Sequence, residues 1–214
     1  MSQVATKPRT KPRTASKEKR KTQLIKATIR SIAKNGLSVT TMSTVAKEAG
    51  LSQGIINLHF QSKERLLEET LRYVVDEYHA AWFKVFENSG DSAAEKLAAL
   101  AGMNFDKPVC QRNKLAVWFA FWGESPSRPT YRKICAQRDR EYKQVLKGLC
   151  DEIIRQGAYP VRADFVAYGL SAMNEGLWLD LLLVPADVNP EQARAVSLSY
   201  LRGIFPKHFP QDLS

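Results

Sequence analysis

Residues 41–60, TMSTVAKEAGLSQGIINLHF, predict a short amphipathic helix that stops at a glycine and is followed at once by another helix. Thr41 suits the N-cap position, because its hydroxyl can accept a hydrogen bond from an amide of the first turn. Apolar residues then recur at three- and four-residue steps as far as Ala49. Gly50 follows at the place where a left-handed residue ends a helix. The segment therefore predicts two helices joined by a tight turn.

The second of these helices has a polar outer face. Ser52 is its expected N-cap. Its inner face is apolar and is expected in the core, at Ile55, Ile56 and Phe60. The residues on the outer face can reach base edges and phosphates, and they are Gln53, Gly54, Asn57 and His59. This form is typical of a helix-turn-helix, which lays its second helix in the DNA major groove. The alternative is an ordinary helical hairpin in an all-α core.

The expected contacts divide into two kinds. We expect Gln53 and Asn57 to read bases, because the helix presents them outward. We expect Thr41 and Lys63 to bind phosphate, because each lies at a helix N-terminus.

Positive charge is concentrated around this motif. Residues 1–63 contain thirteen Lys or Arg and two Glu, a net charge of +11, whereas the whole chain of 214 residues carries +10. A basic region beside a capped helix pair is the electrostatic footprint of phosphate binding. Residues 1–16 are rich in Pro, Thr and Lys and are predicted to form a disordered basic arm. This arm either follows the DNA backbone or only improves solubility.

The rest of the chain predicts further helices and no sheet, because no segment alternates with period two. The expected helices cover about 17–34, the two motif helices, 62–88, 92–105, 111–124, 128–156, 163–184 and 190–205. No apolar stretch is long enough to span a membrane, and the N-terminus lacks the apolar region of a secretory signal. Three cysteines without a C-x-x-C pair suit a reducing cytoplasm. We therefore expect a cytoplasmic, all-α protein.

The sequence gives no sign of catalysis. The three histidines form no metal or nucleophile pattern with the cysteines, and glycine-rich phosphate loops are absent from the sequence. We expect no enzyme activity, no metal site and no cofactor.

The motif and its surroundings resemble the TetR family of one-component repressors. The residues that carry the resemblance are Thr41, Val45, Ala46, Glu48, Ala49, Gly50, Ser52, Gly54, Phe60 and Lys63. It covers residues 17–70 and implies a three-helix DNA-binding head, a helical ligand-binding and dimerisation body, and no catalysis. Many members place aromatic residues on phosphates where this chain has Asn57 and Leu58, so that contact does not carry over.

Three segments of the body extend the resemblance. They are GMNFD at 102–106, KLAVWFAFWGE at 114–124 and NEGLWLDLLL at 174–183. They are similar to the choline-responsive repressors of betaine synthesis within that family, and imply choline or a related quaternary ammonium as inducer. Two alternatives stay open: a TetR-family repressor for another hydrophobic or cationic effector, for example in efflux control, and a constitutive DNA-binding factor that senses nothing. Ligand-dependent loss of DNA binding separates the last from the others.

The aromatic residues of these segments suit such an inducer. A quaternary ammonium cannot donate a hydrogen bond from nitrogen, so proteins hold it against aromatic faces with an acid nearby. Trp118, Phe121 and Trp122 lie within one arc of a helix. The full set of candidate ligand residues is Asp106, Trp118, Phe121, Trp122, Asn174, Glu175 and Trp178. An aromatic stripe at helical spacing is also typical of a plain core, and both interpretations stay open.

We divide the chain into the arm at 1–16, the DNA-binding head at 17–63 and the ligand-binding and dimerisation body at 64–214. The last two long helices are expected to build a four-helix dimer interface. Their predicted contact residues are Val166, Leu170, Met173 and Leu177, and Ala195, Leu198, Leu201 and Ile204. A homodimer brings two recognition helices to major grooves ~34 Å apart on a palindromic operator.

Overall fold

The computed structural model describes residues 13–210, with side chains for 17–136 and 140–210. Nine α-helices follow one another in this described part: α1 (Arg13–Asn35), α2 (Met42–Ala49), α3 (Gln53–His59), α4 (Lys63–Asn88), α5 (Ala93–Met103), α6 (Arg112–Glu124), α7 (Pro129–Gly157), α8 (Ala163–Leu183) and α9 (Pro190–Ile204). These residues contain no strand, and the predicted all-α class is confirmed.

The helix boundaries lie within a few residues of the predicted ones. The largest difference is at α1, which begins at Arg13 rather than near Lys17. Pro12 is the last proline of this region, and residues 13–16 contain neither Pro nor Gly, so nothing in them stops the helix from extending toward Pro12. Residues 13–16 of the predicted disordered arm are therefore helical, and residues 1–12 lie outside the described residues.

Capping fixes the turn between α2 and α3. The Thr41 hydroxyl accepts a hydrogen bond from the Thr44 amide at 3.1 Å, and the Thr44 hydroxyl accepts one from the Thr41 amide at 2.8 Å. Gly50 adopts a left-handed conformation with φ 66°, as predicted. Ser52 takes the N-cap position of α3 but makes no capping hydrogen bond through its side chain. Its hydroxyl is therefore not committed to the helix end.

The small core of the head joins α1, α2 and α3. Val45 of α2 and Ile56 and Phe60 of α3 are buried, as predicted, whereas Ile55 is only half-buried. The Gln23 side-chain amide donates to the Ala49 carbonyl at 3.0 Å. These contacts hold the second motif helix in a fixed direction relative to α1.

The head is attached to the body along α4 and α6, both of which pack against α1. An ion pair joins Lys21 Nζ to Glu69 Oε2 at 3.2 Å. At the start of α4, Lys63 Nζ donates to the Ser38 carbonyl at 3.0 Å. Any displacement of α4 is therefore passed directly to the head.

The body is formed by α4 to α9 around a core with many aromatic side chains. Its three cysteines form no disulfide with one another: Cys135 and Cys150 are buried and Cys110 is half-buried. Burial raises the pKa of the Cys150 thiol to about 12, so it stays protonated at neutral pH. No helix among the described residues is both long and apolar enough to cross a membrane.

Three of the residues predicted to form the dimer interface are wrong. They are Val166 and Leu170 of α8 and Leu201 of α9. All three side chains are buried inside the protomer. α8 is apolar on two faces, and the sequence pattern does not show which of them enters the core. The outer face of α8 instead exposes a stripe of large apolar residues, which we call the α8 stripe: Phe165, Tyr168, Leu179 and Leu183.

Candidate DNA interface and ligand cavity

The outer face of α3 presents polar side chains to solvent. Gln53, Gly54 and Asn57 are exposed, and Leu58 is also exposed. Ile56 and Phe60 point the opposite way, into the head. This orientation leaves Gln53 and Asn57 in place to contact base edges if α3 enters a major groove.

The side chains expected near phosphate differ in whether they already make hydrogen bonds within the protein. Thr41 is exposed, but its hydroxyl already takes part in the α2 cap. Lys63 is half-buried and its ammonium donates to a carbonyl of the α1–α2 connection. Ser52 is exposed with its hydroxyl free of the helix end. Ser52, predicted as an N-cap, therefore needs less rearrangement to bind a phosphate than the two predicted phosphate contacts, Thr41 and Lys63.

His59 lies at the end of α3 beside the basic start of α1. Burial lowers the pKa of its imidazole below 6.5, and the positive charges of Lys17, Arg20 and Lys21 lower it further. Both effects favour the neutral form of the imidazole. The same cations make this end of the recognition helix the natural place for the DNA backbone.

Three aromatic rings meet at right angles inside the body. The ring of Tyr78 on α4 lies 5.7 Å from that of Tyr142 on α7 and 5.9 Å from that of Trp178 on α8, measured between centroids. The interplanar angles are 73° and 90°. All three side chains line one space, and aromatic rings in the wall of a space suit a cation.

Asn104 fixes all three rings. Its side-chain oxygen accepts from the Tyr78 hydroxyl at 2.9 Å, and its side-chain nitrogen donates to the Tyr142 hydroxyl at 3.1 Å. Its backbone carbonyl accepts from Trp178 Nε1 at 2.8 Å. Asn104 is only 2% exposed. A buried network of hydrogen bonds therefore holds the three rings in fixed positions.

The space between these rings is small and enclosed. It measures about 10 Å³, roughly the room for one water molecule. Its walls come from α4, α7, α8 and the end of α5: Tyr78, Asn104, Tyr142, Lys143, Ser171, Asn174, Glu175 and Trp178. We call this space the ring cavity.

The ring cavity contains three of the seven predicted ligand residues, namely Asn174, Glu175 and Trp178. Asn174 is buried and its side-chain oxygen accepts from the Ser197 hydroxyl at 2.8 Å. Trp118 stands behind the cavity with its ring 6.2 Å from that of Tyr78. Trp122 forms a further layer, 5.9 Å from Trp118.

The structure does not bring Phe121 and Asp106 to the ring cavity. Phe121 is buried, but its ring packs edge-on against Tyr131 at 4.9 Å, because that side of α6 faces the start of α7. Asp106 turns outward and pairs with Arg194 Nη1 at 2.8 Å. Neither side chain is placed to contact a ligand held between the three rings.

Sequence reasoning missed Tyr78, Tyr142 and Asn104. Both tyrosines occupy inward positions of long helices, where an aromatic residue normally indicates packing. A sequence signal did exist for Asn104, because it lies in the GMNFD segment that carries part of the resemblance. What the sequence does not contain is the packing of α4, α7 and α8 that brings the rings together.

A larger space lies elsewhere on the body, as an open groove of about 640 Å³ beside α4 and α5. Its walls include Ala81, Lys84, Met103 and Lys114, and none of its lining residues is aromatic. Because rings and a balancing acid are what hold a quaternary ammonium, the small ring cavity is the better candidate.

A helical head that presents a polar recognition helix, joined to a larger helical body, is the architecture of a DNA-binding regulator. Residues 24–70 match the family described as bacterial regulatory proteins of the tetR family, and residues 93–206 match the BetI-type transcriptional repressor C-terminal domain. The chain therefore belongs to the TetR family of transcriptional repressors and has a BetI-type C-terminal domain.

Curated relatives agree with this assignment. The chain is 34% identical over 190 residues to the HTH-type transcriptional regulator BetI of Burkholderia thailandensis, a match that covers 89% of this chain and 95% of the relative. It is 32% identical over 182 residues to BetI of Stenotrophomonas maltophilia, with 85% and 91% covered.

Solved structures show the same fold. A transcriptional regulator from Pseudomonas aeruginosa PAO1 is similar with a TM-score of 0.77 and 27% identity, covering 89% of this chain and 93% of that one. A regulator from Saccharomonospora viridis, solved in complex with choline, has a TM-score of 0.78 and 24% identity, with 86% and 96% covered.

Proposed function

We propose that this repressor is a homodimer that binds a palindromic operator and is released by a quaternary ammonium, with choline as the first candidate. The proposal places the genes of betaine synthesis under its control and the protein in the cytoplasm, beside the chromosome. The observation that carries it is the ring cavity, where Tyr78, Tyr142 and Trp178 surround one space with Glu175 in its wall.

The chemistry of the cavity fits a permanent, poorly hydrated cation. Each aromatic face contributes ~0.5–2 kcal/mol to binding such a cation. A carboxylate in the wall offsets the charge that is buried with the ligand. The Saccharomonospora viridis regulator, solved in complex with choline, and the match to BetI-type domains support the same class of ligand.

The small volume of the cavity supports an inducer mechanism. Choline is far larger than one water molecule, so it binds only if the walls separate. Tyr78 lies on α4, the same helix whose first residue, Lys63, contacts the head. A ligand that prefers the opened cavity favours a different position of α4, and thus of the head.

The α8 stripe supports the homodimer. Phe165 and Leu183 are 64% and 67% exposed, which is unusual for large apolar side chains on one helix face. Val196 of α9 is also exposed, at 46%. Pairing these faces between two copies buries them and sets the distance between two recognition helices.

Calorimetry with three small molecules tests the ligand class. The titrants are choline, tetramethylammonium and 3,3-dimethylbutanol, which has the shape of choline without its charge. The proposal predicts binding of the two cations and little binding of the neutral alcohol, because the rings act on charge. A folded protein that binds none of the three contradicts the proposal and favours a different effector.

Variants of two tyrosines on α7 test the site. Tyr142→Leu removes a ring of the cavity and is expected to weaken choline binding by about tenfold, whereas Tyr142→Phe keeps the ring and most of the affinity. Tyr131→Leu is the matched control, because Tyr131 is equally buried on the same helix but packs against Phe121. Equal choline affinities in the leucine variants contradict the assignment of the cavity.

A further inference from the structure

Lys143 of α7 forms a wall shared by two spaces. On one side it lines the ring cavity. On the other it lines an open groove of about 440 Å³ between α7 and α8, which we call the basic groove. The groove is lined by Ala136, Arg140, Lys143, Gln144, Lys147, Asp164, Ala167 and Tyr168. Lys143 is the residue that the two linings share, and its long, flexible side chain can move without a displacement of α7.

The ammonium of Lys143 has no carboxylate partner among the described side chains. Its contact is the ring face of Tyr168, with Nζ 5.1 Å from the centroid. Of the acids around it, Asp164 pairs with Arg162 at 2.6 Å, and Glu175 lines the ring cavity together with Lys143. A half-buried cation held only by a ring retains the capacity to bind an anion.

The two spaces differ in charge. The ring cavity has aromatic faces and the Glu175 carboxylate, which suit a cation. The basic groove has three cationic side chains, of Arg140, Lys143 and Lys147. Lys147 is paired with Asp151, and the one acid of the groove, Asp164, is paired with Arg162. A simple cation in the ring cavity therefore meets repulsion from Lys143, while a ligand that ends in an anion meets attraction.

We infer that the effector is a quaternary ammonium that also carries an anionic group, a carboxylate, sulfate or phosphate, and that Lys143 determines this specificity. The ammonium lies between the three rings, and the anion reaches past the Lys143 stem into the basic groove. This inference rests on the proposed function, since it names the ligand class of the same cavity. It assigns to Lys143 a direct contact with the ligand.

Affinities for paired ligands test the inference. Calorimetry compares choline with phosphocholine, which adds a phosphate, and uses phosphoethanolamine as the probe that has the phosphate without the methylated ammonium. The wild-type protein is expected to bind phosphocholine about tenfold or more tightly than choline, from one charge-assisted contact, and to bind phosphoethanolamine weakly. Equal affinities for choline and phosphocholine overturn the inference.

Variants of Lys143 assign the preference to one side chain. Lys143→Met keeps the length of the stem and is expected to reduce the phosphocholine preference to within about threefold, while choline binding is retained or improved. Lys143→Gln provides a second, polar replacement. Lys133→Met is the matched control, because it removes one exposed lysine of α7 that does not line either space.

The outcomes separate the inference from the proposed function. A preference for phosphocholine that survives in both Lys143 variants overturns the role of Lys143. Binding of choline with no preference for an anionic relative leaves the proposed function intact and overturns the inference. A folded protein that binds no quaternary ammonium overturns both.

Discussion

Asn104 connects the two tyrosines and the tryptophan of the ring cavity through one side chain and one carbonyl. A ligand that enters between the rings must displace at least one ring from this arrangement. The network therefore stabilises the closed cavity, and part of the binding energy of the ligand opposes it. At the scale of a single residue, Asn104 sets the balance between the closed and the opened body.

Replacing Asn104 is expected to destabilise the protein. Asn104→Leu is similar in size but leaves the Tyr78 hydroxyl without its partner and weakens the bonding of Tyr142, which costs about 1–3 kcal/mol per buried group left unsatisfied. Urea unfolding measures the free energy of unfolding. Asn113→Leu, an exposed asparagine at the start of α6, is the control and is expected to change it little. Equal effects of the two substitutions contradict the importance of the network.

Gln53 and Lys63 are expected to affect DNA binding in different ways. Gln53→Ala removes an exposed side chain of α3 and is expected to reduce the preference for the operator over scrambled DNA, at a cost of ~1–3 kcal/mol. Lys63→Ala removes a charge at the start of α4. It is expected to weaken binding to all DNA sequences alike and to reduce the salt dependence of the DNA affinity. Fluorescence anisotropy over a salt series measures both. A Gln53→Ala protein with an unchanged ratio between the two DNAs contradicts the orientation of α3.

Individual residues show where sequence reasoning succeeds and where it stops. Ile56 and Phe60 were assigned to the core correctly, because α3 is short and its two faces differ strongly in polarity. Sequence reasoning misses Tyr78 and Tyr142, because both hydroxyls bond to Asn104, which is distant from both in sequence. A buried polar network between three helices leaves no periodic signal in any one of them.

At the scale of helices, the boundaries follow local chemistry. The N-cap side chains of Thr41, Ser62 and Ser92 each accept a hydrogen bond from a backbone amide of the first turn. Gly50 ends α2 in a left-handed conformation. Such caps act within a few residues, so the sequence alone predicts them. The faces of α8 were not predictable in the same way, since Leu170 inside and Leu179 outside are equally apolar.

The α8 stripe is expected to hold the dimer together. Phe165→Glu places a charge in the stripe and is expected to shift the protein from dimer to monomer at micromolar concentration, because burying an unpaired carboxylate is costly. Phe83→Glu is the matched control, since Phe83 is 50% exposed on α4, outside the stripe. Sedimentation equilibrium measures the association. A Phe165→Glu protein that remains as dimeric as the Phe83→Glu protein contradicts this interface.

At the scale of the whole molecule, the chain consists of a strongly basic part and a nearly neutral part. The positive charge lies in the first 63 residues, with the recognition helix, whereas the remainder is close to neutral. The ring cavity lies in the neutral body. It is joined to the head by α4, because Tyr78 within α4 lines the cavity and Lys63 at the start of α4 contacts the head. The proposed DNA and ligand sites are therefore separate, and the proposed coupling between them runs through α4, beside the second connection that α6 makes to the head.

The most direct test of this coupling is reciprocal. DNA affinity is measured with and without saturating choline, on a palindrome that the protein itself selects from random sequences. Choline affinity is then measured with and without that DNA. We expect choline to weaken DNA binding by about 5- to 150-fold, and the DNA to weaken choline binding by the same factor, because linkage requires equal effects. Choline that binds the protein and leaves the DNA affinity unchanged would contradict the account.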